Sequence, residues 1–147
     1  MNAEELLPGV RLIVRRRAYF HHGIYVGDGR TIHYAGWFRS TGGLVEEVTL
    51  AEFTKGRTCC VGRIPPDRSA GEDIVRRARS RLGERRYHLL RNNCEHFCNW
   101  CQLGESRSEQ VEALLKPALL LIRILQAIRR ELVVGLHRLR CGIPKTA

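Results

Sequence analysis

Six cysteines and six histidines are the side chains of this 147-residue chain that could act as nucleophile or base near neutral pH. Cys94 is set apart by its place. It follows Asn92 and Asn93, either of which can cap a helix, and it begins the run Cys94 to Leu103 that Gly104 closes. The first turn of a helix exposes backbone donors and the positive end of the dipole. These lower a thiol's pKa and can receive the oxyanion of a tetrahedral intermediate. A thiol there becomes a working nucleophile when one imidazole takes its proton and a second group orients that imidazole. His21 and His33 are the candidates for those two tasks.

They meet only if the chain turns back between them. In HHGIYVGDGRTIHYAG two β-prone runs flank Gly27-Asp28-Gly29, a strong hairpin signal. A two-residue Asp28-Gly29 turn would put Ile24 and Val26 on one face with Thr31 and His33, mixing core and polar positions. A three-residue turn ending in a left-handed Gly29 gathers Ile24, Val26 and Ile32 on one face and His21, Tyr25, Thr31 and His33 on the other. That sorting favours the three-residue turn and makes the two histidines neighbours.

Further elements must carry this hairpin and the Cys94 helix. Val10 to Val14, Leu44 to Val48, Thr58 to Ile64 and Tyr87 to Leu90 read as strands. Thr49 with Glu52 caps a short helical turn. Ser69 with Glu72 opens a helix whose stripe of Ile74, Val75, Ala78 and Leu82 faces a core before Gly83 ends it. Glu95 and His96 are expected to cap and pack the start of the Cys94 helix. From about Ser106 the chain is helical, broken or restarted at Pro117. The fold class is α+β, an antiparallel sheet with packed helices. Residues 1–107 form one catalytic domain and 108–147 a helical tail.

Composition narrows the function. The net charge of +10 predicts attraction to polyanions, although 22 of the 25 cations are arginines spread along the chain. No nucleic-acid-binding signature accompanies them, so nucleic acid is disfavoured as a partner. Cys94, His96, Cys98 and Cys101 have the donor types of a zinc site but would spread over more than one helix face. Neither metal nor cofactor is therefore expected. MNAEELLPGV lacks a basic start followed by an apolar run, so no secretory signal is read. The expectation is a reducing, cytoplasmic location with free thiols.

These residues resemble a known family. His21-His22-Gly23-Ile24-Tyr25-Val26-Gly27-Asp28-Gly29, followed by Ile32-His33, is similar to the histidine box of the lecithin retinol acyltransferase-like proteins. Asn93-Cys94-Glu95-His96-Phe97 is similar to their nucleophile motif. The likeness runs from Gly9 to Leu103, histidines before cysteine, a permuted papain-like order shared with the NlpC-like peptidases. It implies Cys94 as nucleophile, His21 as base and His33 as the polar residue that orients it. It also implies an acyl-thioester drawn from a phospholipid ester and discharged to an amine, an alcohol or water. Members often carry an aromatic residue after the first histidine, where this chain has His22, so a base role for His22 stays open.

Two other functions compete, a cysteine peptidase or amidase of the NlpC-like superfamily and a non-enzymatic interaction protein. The tail bears on the first. Pro117 to Ile128 holds only Arg123 and Gln126 as polar residues, and Arg129, Arg130, Arg138, Arg140 and Lys145 follow. Arginines interrupt it too often for a spanning segment. An apolar stretch joined to a basic end suits a helix lying at an anionic membrane surface; packing on the domain or on a second copy is the alternative. Trp37 and Phe38, followed by Thr41-Gly42-Gly43, are expected as a loop beside the histidine face.

Overall fold

The computed structural model describes residues 6–36 and 43–140. The loop expected at Trp37, Phe38, Thr41 and Gly42 lies outside those residues, as do Cys141 and Lys145. The strands are β1 (Arg11–Arg15), β2 (Phe20–Gly27), β3 (Arg30–Tyr34), β4 (Val45–Thr49) and β5 (Cys59–Val61). They form one antiparallel sheet in the order β4-β3-β2-β1-β5. The helices are α1 (Leu50–Thr54), α2 (Arg68–Ser80), α3 (Cys94–Leu103) and α4 (Glu109–Arg140). The architecture is α+β. The chain divides into two compact units, Met1–Glu109 and Gln110–Ala147.

The β2–β3 hairpin reconciles the two registers. Asp28 and Gly29 both have positive φ, 49° and 66°, which is a two-residue primed turn, so the expected three-residue turn is corrected. A bulge between Tyr25 and Gly27 inserts the extra residue instead. Beyond it Ile24 faces Ile32 and Gly23 faces His33, the register that a three-residue turn would have produced. A one-residue slip of β3 would drive His33 into the apolar cluster and carry Ile32 out, a loss of roughly 2 kcal/mol for the isoleucine alone.

Both sheet faces are covered. Ile24, Ile32, Tyr34 and Val45 pack under Ile74, Val75 and Ala78 of α2 and Cys94, Phe97, Cys98 and Cys101 of α3. On the opposite face Leu12, Val14 and Tyr25 gather around Phe53 of α1. The Thr49–Glu52 capping box that starts α1 is present. The cap of α2 differs from expectation. Asp67, not Ser69, accepts the N–H of Ala70 at 2.8 Å, and the helix ends at Ser80, leaving Leu82 exposed.

Two expected strands shrink for lack of partners. Leu12 to Val14 pair with Cys59–Val61, and that ladder sets the bounds of β5. Residues 87–90 form no strand; a single bridge joins His88 to Asn92. The tail differs as well. α4 runs through Pro117 without a break, since a proline removes one backbone hydrogen bond while neighbouring turns keep theirs.

Candidate active site

His21 and His33 stand side by side on the α1 face of the sheet. The Nε2 of His21 is 3.1 Å from the Nδ1 of His33, with the rings nearly perpendicular at 82°. Phe53 stacks on His21 at 5.3 Å and lies 5.5 Å from His33. Gly23 allows this: a Cβ there would fall 2.8 Å from the Phe53 ring. Glu46 is the β4 partner of His33, and its Oε1 is 3.5 Å from the His33 Nε2. One of the two facing nitrogens donates to the other, and the Nδ1 of His21 lies outside that contact.

Cys94 opens α3 as expected. Asn93 is the cap, its Oδ1 accepting the N–H groups of Glu95 at 2.9 Å and His96 at 3.1 Å. His96 takes the part usually played by Glu or Gln in a capping box, its Nδ1 approaching the Asn93 N–H at 3.4 Å. The thiol is fully buried, its Sγ 3.9 Å from the Phe20 carbonyl oxygen and against the backbone N–H of His22. It therefore flanks the backbone of His21. Among the described residues Cys94 hydrogen-bonds to neither imidazole. Burial pushes the thiol up to about 11, partly offset by the His22 N–H and Arg11. The expected lowering at a helix start is thus overridden by desolvation, and Cys94 rests as a neutral thiol.

His22 has a different employment. It shares the α3 face with Arg11, whose Nε and Nη2 reach its Nδ1 at 3.0 and 2.8 Å. Burial, with the Arg11 charge, pushes His22 down to about 4. The same guanidinium donates to Asn99 Oδ1 at 2.6 Å and pairs with Glu95 at 3.5 Å, so β1 is tied to the turn that carries Cys94. Ser108 donates to the other Glu95 oxygen, and Asn99 Nδ2 donates to the Arg107 carbonyl at 2.9 Å.

The loop leading into Cys94 is held by Glu84. Arg81 grips its carboxylate through Nε and Nη2, both at 2.7 Å, and the Tyr34 hydroxyl and Asn92 Nδ2 donate to Oε1 at 3.1 and 2.9 Å. The Arg81 hydrogen bonds foremost hold Glu84 at about 2, well below the usual carboxylate range. Arg81 also lies over the Trp100 ring at 4.9 Å, tying the loop to α3.

Glu46, Arg11, Glu84 and Phe53 escaped the sequence reading. Glu46 alone had a usable signal, since pairing of β3 with β4 puts it opposite His33. Among the described residues no three His, Cys, Asp or Glu side chains gather to hold a metal ion.

Known proteins bear on this arrangement. The family model described as "Lecithin retinol acyltransferase" matches residues 4–107. The chain is 29% identical to lecithin retinol acyltransferase of Rattus norvegicus, over 88% of this chain and 68% of that protein. It is 33% identical to phospholipase A and acyltransferase 2 of Homo sapiens, over 67% of this chain and 71% of that protein. The match covers the whole stretch that carries the hairpin, Glu46, the Glu84 loop and α3, and by it this chain belongs to the lecithin retinol acyltransferase family of enzymes.

Proposed function

We propose that the chain is a phospholipid acyltransferase or phospholipase A-type hydrolase working through a thioester on Cys94. The observation that carries the base assignment is the contrast between the two histidines. A group held at about 4 with its Nδ1 occupied by a guanidinium is a poor proton acceptor, which disfavours His22. His21, oriented by its contact with His33, lies one residue from the backbone carbonyl that the thiol touches.

In this reading the Nδ1 of His21 takes the Cys94 proton, and the thiolate adds to the ester carbonyl of a phospholipid. The Cys94 backbone N–H is the helix-start donor that Asn93 does not use, and it receives the oxyanion. Collapse breaks the ester C–O bond, and the departing lysophospholipid oxygen takes the proton from His21. An amine, alcohol or water then adds to the thioester while His21 takes its proton. Collapse releases the acyl product and restores the thiol.

The test is intact-mass measurement after incubation with a phosphatidylcholine. One acyl mass should appear, disappear on hydroxylamine treatment and be absent from Cys94→Ala, which loses turnover but keeps its fold. An adduct that persists in folded Cys94→Ala would place the chemistry elsewhere.

The second unit favours a peripheral membrane association. Leu114, Leu121, Leu125, Ile128 and Leu132 are exposed and recur at spacings of seven, four, three and four, one stripe of α4. Lys116, Arg123 and Arg130 run along the opposite stripe. No helix among the described residues is long and apolar enough to cross a membrane. Leu119, Leu120, Ile122 and Ile124 are exposed as well, and so apolar a helix with cations along one side favours the membrane interface.

A further inference from the structure

The thiol is buried beneath a rim whose composition is unusual for a soluble surface. The β1–β2 turn spans Arg16 to Tyr19, closed by the Arg16 N–H to the Tyr19 carbonyl at 2.9 Å. At its end Tyr19 and Phe20 are 48% and 47% exposed. The carbonyl of Phe20 touches Cys94 Sγ. On the segment leading into Cys94, Leu89 and Leu90 are 68% and 43% exposed. The Leu89 carbonyl accepts from the side chain of Asn93, the cap immediately before Cys94, at 2.9 Å. Tyr87 joins the two sides, its hydroxyl pushed up chiefly by burial and then by the neighbouring Cys94 and Tyr19. Four large side chains are therefore exposed on the two segments whose backbones touch the nucleophile and its cap. Local sequence does not demand that clustering.

Charge completes the ring. Beside the turn, Arg15, Arg16, Arg17 and Arg57 line a depression of about 480 Å³ with Gly56 and Thr58. Arg85, Arg86 and Arg91 are exposed on the loop that carries Leu89. Apolar tips flanked by arginines match the two layers of a lipid surface, acyl chains within and phosphates without. A water-soluble ester would need no such collar.

We propose that this rim, formed by the β1–β2 turn and the 85–91 loop, is the face by which the catalytic unit docks on an anionic phospholipid surface. Leu89, Leu90, Tyr19 and Phe20 enter the acyl region, the arginines meet lipid phosphates, and one acyl ester is drawn down to Cys94. The proposal rests on the phospholipid reading of the site and adds where the lipid enters.

A full-chain Leu89→Trp variant tests insertion without reference to turnover. Mixed with phosphatidylcholine–phosphatidylserine vesicles, its added fluorescence should shift to the blue and be quenched by brominated acyl chains. High salt should reverse both. A signal that ignores the brominated lipid overturns the proposal, and one that instead tracks protein concentration assigns the rim to contact between copies. A second arm compares Leu89→Asp with Leu90→Asp, and Arg17→Glu with Arg57→Glu, on vesicles and on a monomeric short-chain ester. Each pair should lower vesicle turnover by at least about tenfold and spare the monomeric ester. Equal loss on both substrates, or no loss on vesicles, overturns it. Leu89→Trp protein that inserts into vesicles yet, like wild type, forms no acyl adduct would instead sink the thioester reading and leave the docking face standing.

Discussion

His21 and His33, twelve residues apart in the chain, are joined ring to ring at 3.1 Å. The hairpin that makes them neighbours also brings His33 opposite Glu46, whose carboxylate stands 3.5 Å from its Nε2. His22, next in sequence, faces the other way and is consumed by Arg11. Adjacent imidazoles are thereby given opposite employments by the pleat of one strand.

The first consequence is kinetic. His21→Ala should lower kcat by about a hundredfold or more, the usual worth of a positioned base. His22→Ala should cost far less turnover and more stability, because it strips an acceptor from a buried guanidinium. Both rate constants and both urea midpoints decide this. A larger loss of turnover in His22→Ala would transfer the base role to His22.

Arg11 and Glu95 form a buried pair beneath the first turn of α3. Removing one partner strands the other's charge, so Arg11→Met should destabilise the protein by about 3 kcal/mol. The double variant with Glu95→Gln should cost clearly less than the sum of the singles. A double-mutant cycle on urea unfolding measures the coupling. Strict additivity would mean the pair is incidental.

Glu84 supplies a pH signature. Its carboxyl is held at about 2 against an ordinary 4.5, so the unfolded chain binds that proton more readily than the native one. Its contribution is whole above the unfolded value and is lost as pH falls from about 4.5 toward 2. Wild type should exceed Glu84→Gln in stability near neutral pH, and the gap should close across that window. Unfolding midpoints from neutral pH down to about 3 follow it, and a gap that stays constant would separate Glu84 from the acid response.

The tail can be tested in the intact chain. Leu121→Glu with Leu125→Glu places charge in the middle of the apolar stripe of α4. If that stripe lies in lipid, co-sedimentation with anionic liposomes should weaken by at least about tenfold. Unaltered binding would assign α4 to packing.

Much of the fold was written locally. Asn93 before Cys94, Gly104 after Leu103, and Thr49 with Glu52 are caps whose partners lie within four residues, so position alone identifies them. The alternation around Ile24 and Ile32 likewise determined the face shared by His21 and His33, because a two-residue period leaves no freedom once the core side is known. The bulge at Val26 was invisible in detail yet inconsequential, since it adds the same single residue that a longer turn would have added.

What sequence could not decide was whatever depends on a distant partner. The strands expected at 58–64 and 87–90 shrank or vanished because pairing needs a neighbour, and the ladder between β1 and β5 spans three residues of each. Cys94 illustrates the same limit in its chemistry. Its place at a helix start, legible from Asn93, argues for an acidic thiol. Its burial between the sheet and α3, which no local pattern reveals, pushes the thiol up instead. Capping and pleating act over a few residues and are encoded there. Desolvation, ion pairing with Arg11 and the closure of Glu46 behind His33 arise only when remote segments are packed together, and it is these that set the protonation of the site.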